Sequence, residues 1–99
     1  MKTKDSELVD LSFINRLGDF PKELPITNRE REILVELAQG KTNREISQGL
    51  VLSTSTVRNH ISSIFTKLRI SNRSQATAVA IYAGLLSTKK EKSDEVKFE

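Results

Sequence analysis

Apolar residues recur at helical spacing in five stretches of this chain, separated by short polar punctuation. The clearest stretch spans residues 53–68, where Val57, Ile61, Ile64, Phe65 and Leu68 follow the i, i+4, i+7, i+8, i+11 pattern of one helix face. Ser53 supplies an N-cap whose hydroxyl accepts from the orphan amides of the first turn. At about 100° per residue, the side farthest from the stripe carries Ser55, Asn59, Ser62 and Thr66. Arg58 and Arg69 border the stripe on one edge, and Thr56, His60 and Lys67 border it on the other. The helix therefore presents hydroxyls, an amide and cations, and contributes no carboxylate. Solvated helix faces usually mix both charge signs, so this one suits a polyanion.

A shorter helix precedes it. Thr42 and Glu45 form a T-x-x-E capping box, Ile46 and Leu50 point inward, and Gly49 is expected to stop the helix before 50–52 turn the chain. Two helices joined by a tight turn, the second with a polar outer face, make a helix-turn-helix signal. Upstream, Thr27 and Glu30 form another capping box that opens a helix running to Gln39, with Gly40 as its stop. Ile33, Leu34, Leu37 and Ala38 are its predicted buried stripe, leaving Arg29, Glu30, Arg31, Glu32 and Glu36 outside. In the N-terminal region Leu8, Leu11, Ile14 and Leu17 repeat at helical spacing, with Asp5 or Ser6 as cap and Gly18 as stop. Val9, Phe13 and Phe20 make a second apolar row. The following GDFPKELP reads as an extended linker.

Asn72 caps the last predicted helix, which runs over 73–86 with Gln75 in the capping-box position. Ala76, Val79, Ala80 and Ala83 form one face; Ala78, Ile81, Tyr82 and Leu85 lie roughly opposite. A helix apolar on both sides needs two places to bury. Either residues 1–20 cover the second face, or Ala78, Ile81, Tyr82 and Leu85 meet a second copy in a symmetric homodimer, the reading favoured here. The charged tail over 87–99 is expected to be disordered. The fold class that results is all-α: a compact four-helix bundle containing a helix-turn-helix over 25–86, with an N-terminal linker helix in 1–24.

Charge placement sharpens the picture. The net charge is only +3, but 46–88 contains Arg58, Lys67, Arg69 and Arg73 and no acid. Such concentration is the footprint expected of phosphate contacts. Absent cysteine excludes disulfides, thiolate catalysis and Cys-based zinc sites, and a lone His60 makes no metal site. Adjacent charges of both signs at Glu30, Glu32 and Glu36 lack a partner group for catalysis, so no enzyme, metal or cofactor is expected. No apolar run approaches the ~20 residues that span a bilayer; a cytoplasmic location without membrane contact is expected.

The stretch ITNREREILVELAQGKTNREISQGLVLSTSTVRNHISSIFTKLRISNRSQATAVAIYAGLL closely resembles the LuxR/NarL-type (FixJ-type) DNA-binding domain of bacterial transcription regulators. Its hallmarks are T-x-R-E-x-E-I-L at 27–34, L-A-x-G-x-T-N-x-E-I at 37–46, L-S-x-x-T-V-R-N-H-I at 52–61, and K-L at 67–68. The resemblance implies that the domain's third helix (54–68) enters the major groove of double-stranded DNA and its fourth (73–86) forms a dimer contact. It puts base reading on Arg58, Asn59 and Ser62, and backbone contacts on Asn43, Ser53, Ser55, Thr56 and Lys67. Arg58 suits guanine O6 and N7, and Asn59 suits adenine N6 and N7. Ser62 departs from the Lys or Arg common at that position, which implies fewer direct base contacts or more reliance on DNA shape. In this family the domain usually follows a receiver or other sensor domain, so this chain is either the output part of a two-component response regulator or a stand-alone regulator. The competing reading is a protein-interaction module on the same fold with weakened DNA binding.

Overall fold

A computed structural model describes residues 11–86, which form five α-helices: α1 (Leu11–Leu17), α2 (Asn28–Ala38), α3 (Asn43–Leu50), α4 (Thr54–Leu68) and α5 (Arg73–Tyr82). The predicted cap at Asp5 or Ser6, the apolar Leu8 and Val9, and the charged tail lie outside the described residues. Helix α2 packs on both α4 and α5, and α3 packs on α4.

The helix starts form as their sequences require. Thr27 and Glu30 close one capping box and Thr42 and Glu45 another, each side chain bonded to the other's backbone amide. Ser53 accepts from the Thr56 amide, and Asn72 from the Gln75 amide. The Gln75 side chain reaches past the cap to the amide of Ser71 (2.7 Å). Each such bond satisfies a donor that helix geometry leaves orphaned.

The ends of α2, α3, α4 and α5 share one device. A residue in the left-handed region reverses the chain, and the following amide bonds back to a carbonyl of the last turn: Lys41 to Glu36, Leu52 to Ser47, Ile70 to Phe65 and Leu85 to Ala80. Glycine takes the left-handed position at Gly40 and Gly84, but Val51 (φ 57°) and Arg69 (φ 58°) take it on either side of α4. Gly49, expected to stop α3, instead lies inside that helix, and Val51 makes the stop. Helix α5 likewise ends at Tyr82, short of the expected 86, because Gly84 turns the chain there.

The core consists of Ile33, Leu34 and Leu37 of α2, Ile46 of α3, Val57, Ile64 and Leu68 of α4, Ala76, Val79 and Ala80 of α5, and Ile70 from the turn before α5. Fully burying each larger aliphatic side chain contributes about 1.5–3 kcal/mol. Leu24 and Phe13 join this cluster from the N-terminal segment, so α1 is docked on the domain. Its orientation decides between two apolar rows that the sequence left open. Phe13, from the secondary row, is buried with Leu17 and Phe20 packed nearby, whereas Leu11 and Ile14 from the leading row are exposed. The bulkier aromatic row fills the cleft beside α5. Arg16 lies 5.6 Å from the Phe13 ring centroid and 5.9 Å from that of Phe20, and donates to the carbonyl oxygen of Arg69 (2.7 Å) at the end of α4.

Candidate nucleic-acid interface

The buried stripe of α4 fixes what its outer face can offer. With Val57, Ile64 and Leu68 in the core and Ile61 and Phe65 half-buried, Ser55, Arg58, Asn59, Ser62 and Thr66 are exposed. Arg58, Asn59 and Ser62 line one shallow groove of about 480 Å³ with Asn43, Leu37, Ile61, Phe65 and Arg73. All three predicted base-reading positions are thus brought together, and Asn43 joins them from the start of α3. Among the described residues, Arg58 makes no hydrogen bond or ion pair, so its cationic charge is uncompensated.

Arg73 belongs to this groove although sequence reasoning assigned it no role. One guanidinium nitrogen donates to the carbonyl oxygen of Leu37 (2.8 Å), which aims the rest of the group along the groove. Its position in an acid-free segment was the available signal; its proximity to Asn43 and Arg58 depends on how α5 packs against α2.

The other predicted backbone contacts lie elsewhere. Ser53 and Thr56 sit at the start of α4, where the Ser53 hydroxyl accepts from the Thr56 amide (3.0 Å) and donates to the Thr56 hydroxyl (2.9 Å). Both Ser53 functions are therefore used, while the Thr56 hydroxyl keeps its proton to donate. Ser55 is exposed one position from Thr56, and His60 is half-buried at the edge of the core.

Lys67 has a different neighbourhood from the one expected. Its ammonium donates to both oxygens of Glu30, at 2.8 and 3.1 Å, and the Ser63 hydroxyl donates to Glu30 Oε2 at 2.8 Å. Glu30 was expected on the solvated side of α2; instead its side chain is only 6 % exposed. Burial alone would push this carboxyl's pKa up, but hydrogen bonds from Lys67, the Thr27 amide and Ser63, with the Lys67 charge, outweigh it and hold the value at about 2. The acid-free character of α4 in sequence thus does not carry over to its surroundings, because α2 brings a carboxylate against it.

On α5, Ala76, Val79 and Ala80 face the core, while Ile81 and Tyr82 remain 37 % and 48 % exposed. Ala78 and Leu85 are half-buried. Helix α1 covers part of this side, and the Tyr82 hydroxyl donates to the Gly18 carbonyl oxygen (3.2 Å). The second face of α5 is therefore partly covered by the N-terminal segment and leaves an exposed apolar remainder at Ile81 and Tyr82. Among the described residues no helix is long and apolar enough to cross a membrane, and no cluster of acidic residues, His or Cys could hold a metal ion.

Comparison with known proteins agrees with this architecture. Residues 24–80 match the family described as bacterial regulatory proteins, luxR family. The chain is 43% identical over 68 residues to the spore germination protein GerE of Bacillus subtilis (strain 168), an alignment covering 69% of this chain and 92% of that protein. It is 48% identical over 58 residues to the transcriptional regulatory protein LiaR of the same organism, covering 59% of this chain and 26% of LiaR. It is 37% identical over 75 residues to the transcriptional regulatory protein LnrK, covering 76% of this chain and 34% of LnrK. The chain therefore spans only about a quarter to a third of the length of LiaR and LnrK, and nearly the whole of GerE. With capped helices, a helix-turn-helix and a family match over 24–80, this chain belongs to the luxR family of bacterial regulatory proteins, a family of regulators and not of enzymes.

Proposed function

We propose that this chain binds double-stranded DNA sequence-specifically as a transcription regulator, with α4 lying in the major groove. The observation that carries the reading is the groove shared by Arg58, Asn59, Ser62 and Asn43, in which the Arg58 charge has no partner among the described residues. A guanidinium with five donors and no competing carboxylate is suited to bidentate reading of guanine. Asn59 presents the amide that pairs with adenine, and Ser62 adds a short-range contact. Asn43, Ser55 and Thr56 hold the phosphate backbone on the side of the α3–α4 turn, where Ser53 orients the Thr56 hydroxyl, and Arg73 holds it on the side of α5.

The regulator acts as a homodimer through α5. Ile81 and Tyr82 form the exposed part of the contact, with Ala78 and Leu85 beside them. Two copies then read two half-sites related by two-fold symmetry. Longer relatives such as LiaR support a role as the output part of a two-component response regulator whose receiver lies outside this chain, and GerE, 92% of which is covered by the alignment, supports a stand-alone form. Either form works in the cytoplasm, where the DNA is.

The deciding experiment is selection from a random duplex pool followed by equilibrium binding across a salt series. Enrichment of a two-fold-related site, with affinity falling steeply as salt rises, is the expected result. Arg58→Ala should weaken binding to the enriched site by about 1–3 kcal/mol and relax preference at one base position. A shallow salt dependence with no enriched sequence would reject the reading in favour of a protein-interaction module.

A further inference from the structure

Lys67 lies on the reading helix α4 and carries a charge, which makes it an obvious phosphate contact; its surroundings argue otherwise. Glu30 Oε1 accepts from the Lys67 ammonium and from the Thr27 amide (2.9 Å), while Glu30 Oε2 accepts from Ser63 and again from Lys67. Four hydrogen bonds thus converge on one carboxylate that water barely reaches. Ser63 and Lys67 are four residues apart, one turn of the same face of α4. Glu30 is itself held in the capping box that starts α2. The start of α2 and the second half of α4 are therefore clamped through one buried anion.

We propose that Lys67 is a positioning residue acting through Glu30, setting how far α4 projects into the groove, and that it neutralises no DNA phosphate. This rests on the DNA-binding reading above. Swinging the ammonium toward a phosphate would strip a buried carboxylate of its counter-charge, and leaving such a group unpaired costs more than a solvent-screened phosphate contact returns. Arg58 and Arg73 face no such conflict: neither forms an ion pair among the described residues, and both line the open groove.

The test compares wild type, the double variant Glu30→Gln/Lys67→Met, Lys67→Arg, Arg73→Gln and Arg58→Ala. Each is titrated with a duplex enriched from a random pool and with an unrelated duplex across a salt series, alongside its melting curve. Each phosphate neutralised contributes about 0.9 to the slope of log affinity on log salt. The double variant removes both charges together and leaves no orphan anion. It should keep the wild-type slope but lose several-fold in discrimination between the two duplexes. Lys67→Arg should keep both slope and discrimination, and Arg73→Gln should flatten the slope. A slope about 0.9 shallower in the double variant would put Lys67 on a phosphate and overturn the proposal; unchanged discrimination in a variant of unchanged slope would overturn it too. Should the double variant not fold, Glu30→Gln/Lys67→Gln replaces it and is read the same way: an unchanged slope with reduced discrimination upholds the proposal, and a slope about 0.9 shallower overturns it. Failure of the underlying reading looks different: wild type would not discriminate between the duplexes, or Arg58→Ala would leave discrimination intact.

Discussion

Replacing Gly49 by alanine and Val51 by glycine should stabilise this domain. Gly49 lies inside α3, is exposed, and has no atom within 4 Å of where a Cβ would stand. Glycine in a helix interior is about 1 kcal/mol less favourable than alanine, so Gly49→Ala should recover most of that amount. Val51 presents the opposite error. It holds φ 57° and ψ 53° with its side chain 88 % exposed, so the left-handed backbone is not compensated by burial. That conformation costs an L-residue about 1–2 kcal/mol, and a β-branched side chain is at the unfavourable end. Removing the Cβ recovers this, less about 0.4–1 kcal/mol for the larger entropy of glycine in the unfolded chain. Val51→Gly should therefore gain roughly 0.5–1 kcal/mol, and the pair roughly 1.5–2 kcal/mol if the two effects add. For a domain of this size each kcal/mol shifts the midpoint by about 4–8 °C, so the double variant should melt roughly 6–15 °C higher. Thermal unfolding followed by circular dichroism measures this directly. A lower midpoint for Gly49→Ala would mean that α3 ends at Gly49, and a lower midpoint for Val51→Gly would mean that the valine side chain holds the turn together.

Three further outcomes follow from the geometry. Because Glu30 is held at a pKa of about 2 against an ordinary value of 4.5, its contribution to stability is complete above about pH 4.5 and lost as pH falls through 2; the midpoint gap between wild type and Glu30→Gln should be constant near neutrality and close across that window, and a gap independent of pH would refute the clamp. Phe13→Ala should destabilise the domain by about 3–5 kcal/mol in a denaturant titration if its ring belongs to the core, whereas a change near zero would mean that α1 is not docked in solution. Ile81→Glu should lower affinity for a duplex with two half-sites far more than for one half-site, and equal losses on both would remove α5 as the dimer contact.

Local patterning was enough for most of the architecture. Capping boxes at Thr27 and Thr42, caps at Ser53 and Asn72, and the stripe Val57–Ile64–Leu68 all form where spacing alone puts them, because each depends on residues within a turn or two. What local patterning missed or left open has a different cause. Glycine was taken as the stop of α3, since left-handed backbone favours it, yet the turn places Val51 there, one residue past the helix. In α1 both apolar rows had helical spacing, and only contact with α5 selects the Phe13 row over Leu11 and Ile14. The three candidate base-reading residues sit on one face and were legible together. Glu30 against Lys67 was not, because a separation of 37 positions leaves no periodic trace.

The hydrogen bond from Arg16 to the last carbonyl of α4 has a consequence for control. On the proposed reading, in which DNA is bound at α4, helix α1 and DNA act on the same element and their equilibria are linked. Whatever pulls on residues upstream of Leu11 and loosens Arg16 from Arg69 enters DNA affinity as a coupling free energy. Linkage is reciprocal: DNA that favours the gripped form of α4 must tighten the seat of α1 by an equal amount. On the proposed reading, α1 and the bound operator each sense the other through α4.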